Sequence, residues 1–409
     1  MKITIVVGGR WHAFDLAREL HSHGHLYRLI TTYPKWFVRR WGIPSELIFS
    51  QPVIFFVVKL IYKIGGESLM MRCQWFVHRW FAEWAVKYLD GSELIHGWSQ
   101  WSEPSLVWAK RRDIPTVIER SSSHILEQSR LLKEEHSRLG MKWPSTHRKI
   151  EYMELREYGL ATNVAVPSLF VERSFIARGF AASKLFRNPL GVNLLQFKPP
   201  KNHLLPPVEI GLKVIYVGTL SVRKGIHDLL AGFVQANLLN SQLTLIGSKT
   251  PELEQLLSIQ PNNVHCLGHR PQSELVDFYA KSHCFVMASI EEGMAMVQLQ
   301  ALACGLPLIC TMNTGGEDLL RLSGVPESMG AYGVQEFPAG FLAPINSPEA
   351  ISWSLRKLAL NKGLWETKRQ KALKISQTNL DWAEYAKRSI ILYDKLIKKS
   401  SANLNFPAA

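Results

Sequence analysis

Two carboxylates and a glycine stand side by side at Glu291, Glu292 and Gly293. A carboxylate can accept hydrogen bonds from sugar hydroxyls. The unpaired backbone amides of a loop that enters a helix suit phosphate oxygens. Together these groups fit a nucleotide sugar, with its diphosphate on the amides and its sugar hydroxyls on Glu292. An ordinary loop with two solvated glutamates explains the same residues equally well.

The elements around this loop form a predicted βαβ unit. Residues 284–287 read as a buried strand before the loop, and the apolar residues between positions 296 and 303 have the spacing of a short buried helix. A second strand, residues 308–310, runs into a glycine turn at residues 313–316. Open α/β sheets bind ligands at the carboxyl ends of their strands, so we expect the polar groups of this unit to face a ligand.

The order SxxEG, an apolar helix, ALACGLPLI and then TGG resembles the signature of family 4 glycosyltransferases. These GT-B enzymes transfer sugars from nucleotide donors with retention of configuration. The resemblance implies that Glu292 is catalytic and holds the sugar. The glutamate that in this family usually holds the ribose is replaced by Gln300, which can still accept one hydrogen bond. The resemblance also implies four donor-binding residues at the helix start, namely Gly293, Met294, Ala295 and Met296.

A second donor-binding loop follows the strand at residues 213–218. A strand, two cations and a helix start form an arrangement that suits a diphosphate. The resemblance places the strand glycine at Gly218 and the family's lysine at Lys224, whereas Thr219 replaces the usual basic residue and Arg223 stands at a different spacing. Arg270 follows a later strand and is a candidate to stack on the nucleotide base. A solvated turn and an exposed rim arginine are the alternatives for these cations.

The amino terminus begins with a strand, two glycines and a helix, which is how nucleotide-type α/β domains begin. The full GxGxxG pattern is absent, so a dinucleotide oxidoreductase is only weakly indicated. The resemblance implies instead that this loop faces the acceptor, through Gly9, Arg10 and His12. A surface histidine at a helix start explains His12 equally well.

Arg120, three serines and His124 follow the strand at residues 115–119. The resemblance implies that His124 is catalytic and lies near the transferred sugar, where it can donate to a hydroxyl or stabilise charge near the anomeric carbon. A polar residue at a helix start, with the serines as caps, is the alternative. Arg120 is a further candidate to hold an anionic acceptor or a phosphate.

Tryptophans and basic side chains alternate between residues 33 and 88, around the apolar segment PVIFFVVKLIYKI at residues 52–64. A helix that lies in a membrane surface needs this combination. Residues 1–200 carry a charge balance of +11 against +3 for the remainder, which favours an anionic membrane face or acceptor on the amino-terminal side. A helical insertion packed on the core is the alternative, and a non-enzymatic protein that binds membrane or nucleic acid is a rival function.

The chain is long enough for two domains. We expect an α/β chain of the GT-B class, with two Rossmann-like doubly wound domains facing across a cleft: an acceptor domain at residues 1–198, a proline-rich linker at 199–207 and a donor domain at 208–382. A final helix at about residues 383–400 is expected to pack back on the first domain.

These features predict a retaining glycosyltransferase of cell-surface polysaccharide synthesis that acts on a saccharide or lipid-linked acceptor. No metal or cofactor is expected, because cations, amides and a helix end can neutralise the leaving diphosphate. RNA-binding motifs are absent, so nucleic acid is not an expected partner. The odd cysteine count and the lack of a signal peptide favour a cytoplasmic protein at the inner face of the membrane.

Overall fold

The computed structural model describes residues 1–199, 207–257, 261–376 and 380–404. Most of the predicted linker lies outside the described residues. The first domain contains a seven-stranded parallel sheet in the order β3-β2-β1-β4-β5-β6-β7. Its strands are β1 (Ile3–Val7), β2 (Leu26–Thr31), β3 (Ile48–Ser50), β4 (Leu94–Trp98), β5 (Thr116–Glu119), β6 (Asn163–Val166) and β7 (Leu185–Arg187).

Helices cover both faces of this sheet. They are α1 (Ala13–Ser22), α2 (Lys35–Val38), α3 (Pro52–Ala85), α4 (Glu103–Lys110), α5 (Ile125–Arg138), α6 (Arg148–Leu160) and α7 (Leu169–Ile176). Alternate side chains of a strand point to opposite faces. Ile5 and Val7 of β1 therefore pack in the cluster that contains Phe14 of α1, while Val6 packs in the cluster that contains Phe81 of α3.

The second domain contains an eight-stranded sheet in the order β10-β9-β8-β11-β12-β15-β14-β13. Its first six strands in that order run parallel, and β14 and β13 add an antiparallel edge. The strands are β8 (Lys213–Val217), β9 (Gln242–Ile246), β10 (Val264–Cys266), β11 (Cys284–Met287), β12 (Leu308–Thr311), β13 (Ser328–Met329), β14 (Gln335–Phe337) and β15 (Gly340–Ala343). The prediction of two doubly wound domains is confirmed.

The remaining helices are α8 (Ile226–Ala236), α9 (Pro251–Leu257), α10 (Leu275–Ala280), α11 (Met296–Ala303), α12 (Gly316–Arg321), α13 (Pro348–Ala359), α14 (Lys362–Ser376) and α15 (Trp382–Leu404). Helix α15 packs against α1 of the first domain. There the hydroxyl of Tyr385 donates to Glu119 of β5 across 3.2 Å, and Tyr393 forms a hydrogen bond with His96 of β4. The carboxyl-terminal helix thus joins the second half of the chain to the first.

Helix α3 is kinked at Gly66, whose φ of 59° lies in a region that favours glycine. Only Ile54 is buried in its first half, whereas the second half buries a row of side chains that includes Phe81 and Ala85. The first half consequently leaves large apolar side chains exposed, namely Val53, Phe56, Leu60, Tyr62 and Ile64. Within the described part of the chain, every helix is too short or too polar to cross a bilayer.

Candidate active site

Three loops of the second domain meet at the carboxyl ends of neighbouring strands. They follow β8, β11 and β12, which are adjacent in the sheet. The amide of Ile290 donates to the Arg223 carbonyl across 2.9 Å, which joins the first two loops. The amide of Glu292 donates to the Asn313 carbonyl, also across 2.9 Å, which joins the second loop to the third. Backbone contacts therefore fix the loops that carry the predicted donor residues.

Lys224 and Glu292 lie in direct contact, with the lysine ammonium against the glutamate carboxylate. Lys224 is brought there by a tight turn that ends at Gly225, where φ is 63° and a Cβ would overlap the Ala288 carbonyl oxygen. Burial lowers the pKa of Lys224, the Arg223 guanidinium lowers it further, and Glu291 acts in the opposite direction. A cation and a carboxylate from separate crossovers thus share one site.

Glu291 joins the two domains, a role that the sequence did not predict. Its fully buried carboxylate accepts from the amide and hydroxyl of Ser123, at 2.8 and 2.7 Å, and from Gln128 at 2.9 Å. Arg223 of its own domain donates to it across 2.9 Å. Burial would raise the pKa of Glu291, but Arg223 and the Ser123 hydrogen bonds lower it to about 2. Glu291 is therefore a charged tie between the domains.

The backbone at Gly293 touches the first domain. A Cβ at this position would overlap the Ser121 carbonyl oxygen, and the Gly293 carbonyl accepts from the Ser168 hydroxyl across 2.6 Å. The next residue, Met294, accepts a hydrogen bond from the Leu190 amide through its sulfur at 3.4 Å. The start of the signature segment thus lies on the interface, where a donor sugar would meet an acceptor.

Helix α11 follows with Ala295 at its N-cap, where no side chain accepts from the helix amides. Such an end suits an anion. Met296 is the first helical residue. The side chain of Gln300 is buried, and its carbonyl oxygen accepts from the Tyr279 hydroxyl across 3.1 Å. The residue at the predicted ribose position is therefore tied to α10.

Two other predicted donor residues lie at loop edges. Gly218 has a φ of 148° at the end of β8, and a Cβ there would meet the Tyr216 hydroxyl. Arg270 is exposed and lies 4.0 Å from Glu274, its nearest ionic partner. Neither Gly218 nor Arg270 is joined to the Lys224–Glu292 contact by a hydrogen bond or ion pair of the described residues.

His12 is 3% exposed, so it is not a surface histidine, and its contact with an acceptor stays a prediction. Its Nε2 lies 3.2 Å from the Glu119 carboxylate, and its ring stacks on Trp382 of α15. Burial would raise the pKa of Glu119, but His12 and His96 lower it to about 2. The position of His12 indicates that it holds α1 and α15 on the first sheet.

His124 is the N-cap of α5, and its Nδ1 accepts from the Leu126 amide. The ring packs among Tyr158, Phe175 and Phe180. Burial, followed by nearby arginines, lowers the pKa of His124 to about 4, so the imidazole is neutral at pH 7. These contacts direct the ring into the first domain.

Arg120 is 6% exposed and is engaged by its own domain. It donates to the Ser123 carbonyl at 2.9 Å, to Gln128 at 2.9 Å and to Glu154 at 3.0 Å. These three contacts shape the loop that meets Glu291. Their geometry favours a positioning role over direct contact with an acceptor.

Gly9 and Arg10 lie in the loop after β1. Gly9 lines a cavity of the first domain, and a Cβ there would collide with the Trp11 ring. Arg10 is exposed, with its guanidinium 5.5 Å from the centre of the Trp41 ring. Of the predicted acceptor residues, Gly9 and Arg10 are therefore open to a ligand.

A buried cluster of Glu135, His227 and Asp228 brings metal-ligand atoms within 4.8 Å of one another at the domain interface. His227 Nε2 lies 2.6 Å from Glu135, and Arg138 lies 2.7 Å from Glu135 and 3.1 Å from Asp228. Arg138 pairs with both carboxylates and His227 pairs with Glu135, so the cluster is an ion-pair network, in which Nδ1 of His227 and Oδ2 of Asp228 form no hydrogen bond with a described residue.

Comparison with known proteins gives the context of this geometry. Residues 211–361 match the family model described as Glycosyl transferases group 1. O-antigen chain mannosyltransferase B of Escherichia coli is 27% identical over 38% of this chain and 41% of its own length. The capsular polysaccharide biosynthesis glycosyltransferase CapM of Staphylococcus aureus is 29% identical over 37% and 38%, respectively. The chain thus spans less than half of the length of these relatives.

Solved structures share the fold over nearly the whole chain. Sucrose-phosphate synthase from Thermosynechococcus elongatus superposes with a TM-score of 0.68 at 19% identity and covers 98% of this chain and 100% of its own. Anabaena HepE in complex with UDP-glucose superposes with a TM-score of 0.60 at 15% identity and covers 99% of each chain. At these identities, the likeness establishes the architecture.

Proposed function

We propose that this chain transfers a sugar from a nucleotide diphosphate sugar to a saccharide or lipid-linked acceptor, with retention of configuration. The match of residues 211–361 to the glycosyl transferases group 1 model and the GT-B fold support this proposal. One observation carries the proposal. The Lys224 ammonium and the Glu292 carboxylate, from two separate crossovers of the second sheet, meet at the carboxyl ends of its strands beside the first domain. The HepE complex with UDP-glucose supports a nucleotide sugar as the ligand class.

Each group of the site has a role in this reaction. Lys224 neutralises charge on the leaving diphosphate, aided by Arg223 and by the amino-terminal end of α11. Glu292 accepts hydrogen bonds from the sugar hydroxyls, and Gln300 contacts the ribose. Arg120 acts as a positioning residue, because it donates to the Ser123 carbonyl in the loop that reaches Glu291. The catalytic role of His124 near the transferred sugar stays a prediction.

In the proposed reaction, the acceptor hydroxyl attacks the anomeric carbon from the same face from which the diphosphate leaves. The bond between the anomeric carbon and the phosphate oxygen breaks, and the acceptor oxygen forms the new bond on the same side. The acceptor hydroxyl gives its proton to the departing phosphate oxygen. The cations and amides of the site can stabilise the diphosphate without a metal ion.

We further propose that the enzyme serves cell-surface polysaccharide synthesis at the inner face of the cell membrane. Its similarity to an O-antigen chain mannosyltransferase and to a capsular polysaccharide glycosyltransferase supports the pathway class. The exposed apolar side chains of the first half of α3 lie among basic residues, including Lys59 and Lys63, which suits contact with an anionic membrane.

A thermal-shift screen with UDP, GDP, ADP and their sugars tests the proposed donor. A ligand that binds only the folded protein stabilises it by RT ln(1 + [L]/Kd), so one nucleotide series should raise the melting temperature. The anomeric configuration of the product, read by NMR, then tests retention. Stabilisation by NAD with no response to any nucleotide sugar would contradict the proposal, as would vesicle binding without hydrolysis or transfer from any nucleotide sugar.

A further inference from the structure

A cavity of about 450 Å³ lies in the first domain, between the loop after β1 and the two halves of α3. Gly8 and Gly9 form part of its wall, so it begins at the loop where an acceptor is proposed. Its size is within the usual range for sites that bind small molecules.

One wall of the cavity is polar, and hydrogen bonds fix the position of Gln100 in it. Gln100, at the end of β4, has a φ of 75°, which is uncommon for a residue with a side chain. Its backbone amide donates to Glu157 and its side-chain amide to Glu154, both across 2.6 Å. Gln74 of α3 donates to the Gln100 side-chain oxygen across 3.0 Å. An amide side chain offers two donors and two lone pairs, and these contacts use one of each on Gln100.

Two buried nitrogen atoms of lining residues lack a partner. Nδ1 of His78 and Nε1 of Trp101 form no hydrogen bond with any described residue. His78 is 4% exposed and Trp101 is 7% exposed. Burial lowers the pKa of His78 to about 3, so its ring is neutral. The two rings lie against each other, with their centres 3.6 Å apart, and both residues line the cavity, so they offer a saccharide a flat surface to pack on.

Both halves of α3 contribute further lining that is mostly apolar. Its apolar members are Phe55, Val58, Tyr62, Met70 and Met71, and its charged members are Lys59 and Glu67. Tyr62 is also among the exposed apolar residues of the first half, together with Leu60 and Ile64. The kink at Gly66 separates the two halves, and the apolar lining continues through Tyr62 onto an exposed surface.

Hydrogen bonds connect the polar wall to the donor loop. Glu154, which holds Gln100, also pairs with Arg120 at 3.0 Å. Arg120 donates to Gln128, and Gln128 donates to Glu291, each across 2.9 Å. A ligand at Gln100 is thus joined through described contacts to the residue beside Glu292.

We propose that this cavity takes the acceptor, and that the acceptor is a single-chain amphiphile. Its saccharide head binds at Gln74, Gln100, His78 and Trp101, and its aliphatic chain lies along Phe55, Val58 and Met70 toward the exposed face of α3. The assignment to an acceptor rests on the proposed function, whereas the binding of an amphiphile rests on the cavity alone.

Decyl maltoside below its micelle concentration is the probe, with maltose as the headgroup control. Binding is followed by tryptophan fluorescence, because two tryptophans line the cavity. We expect decyl maltoside to bind at least tenfold more tightly than maltose, since burial of its alkyl chain removes apolar surface from water and maltose has no such chain. Equal affinity for the two probes would overturn the assignment to an amphiphile.

Two variants on α3 form a matched pair. Val58→Trp fills the cavity, whereas Val53→Trp adds the same ring to a side chain that is 52% exposed. Val58→Trp should weaken decyl maltoside binding at least tenfold, and Val53→Trp should leave it unchanged. Gln74→Leu adds no bulk and should also weaken binding, which guards against a folding defect in the tryptophan variant. Parent-like affinity in both Val58→Trp and Gln74→Leu would overturn the site.

Nucleotide binding separates this inference from the proposed function. Val58→Trp should keep the parent's thermal shift with the nucleotide that binds, because the cavity lies outside the donor loops. Decyl maltoside binding in a protein that binds no nucleotide sugar would refute the proposed function and leave the amphiphile site standing. Nucleotide binding without any decyl maltoside binding would refute the amphiphile site and leave the proposed function standing.

Discussion

The two domains use the polar side chains of their strand-end loops differently. In the second domain, Arg223, Lys224, Glu291 and Glu292 contact one another or the opposite domain. In the first domain, the predicted residues His12, His124 and Arg120 are buried, whereas Arg10 is exposed. Glu119 holds His12 and His96. The second domain thus gathers paired charges between its loops, whereas the first domain has a cavity beside the loop after β1.

The largest expected effect concerns the contact between Lys224 and Glu292 in the second domain. Lys224→Ala and Glu292→Ala should each reduce sugar transfer by well over tenfold, since each removes a group proposed to stabilise the transition state. Lys357→Ala is the matched control. It removes another lysine–glutamate pair of this domain, in which the Lys357 ammonium lies 2.7 Å from the Glu336 carboxylate. Initial rates with a saturating donor measure the effect. Parent-like rates in both site variants would refute the assignment.

An intermediate effect is expected at the tie between the domains. Glu291→Ala leaves the buried Ser123 amide without its acceptor, so the free energy of unfolding should fall by about 1–3 kcal/mol. Arg173→Ala removes a different interdomain pair, from a side chain that is 59% exposed to Glu317, and should cost about 1 kcal/mol or less because Glu317 keeps its pair with Arg321. Urea denaturation compares the two variants. A smaller loss in Glu291→Ala than in Arg173→Ala would mean that Glu291 is not the principal tie.

The smallest expected effect is a pH dependence of the domain interface. Burial lowers the pKa of His227, but hydrogen bonds to Asp228 and Glu135 raise it above its usual value overall. Arg138 contacts both carboxylates. Nearby, His136 of α5 faces Glu252 of α9 across 3.5 Å. A raised pKa in the folded protein means that the stabilisation is complete below about pH 6.5 and is lost as pH rises through the folded value.

The melting temperature should therefore fall from pH 6 toward alkaline pH, more in the parent than in His227→Gln. The variant keeps a hydrogen-bonding side chain but cannot gain a proton. Identical pH profiles for the two proteins would show that protonation of His227 does not stabilise the interface.

The second domain was easier to predict, because glycines and a helical pattern in its sequence mark where the backbone turns. The helix predicted between positions 296 and 303 is α11, and the predicted glycine turn contains Gly315 with a φ of 71°. Tight turns fix where a neighbouring side chain lies, so the spacing around Gly225 placed Lys224 against Glu292. The two Rossmann-like domains followed from alternating strand and helix patterns in the same way.

The first domain was harder to predict because its site depends on tertiary packing. Order along the chain pointed to His12 and His124, but their burial is decided by α15 and by an aromatic cluster distant in sequence. The apolar segment at residues 52–64 was predicted as a helix. The cavity also requires the kink at Gly66 and the left-handed backbone conformation of Gln100. A glycine within the helical pattern was the available signal for the kink, and no local pattern identifies Gln100. Contact of this segment with a membrane stays a prediction.

A structure of the protein with the nucleotide diphosphate sugar selected by the screen tests the central claim most directly. The account predicts that the diphosphate lies within about 3.5 Å of the Lys224 ammonium, at the amino-terminal end of α11, with the sugar hydroxyls on Glu292. A diphosphate bound instead at the loop after β1, with Lys224 and Glu292 still in contact only with each other, would contradict it.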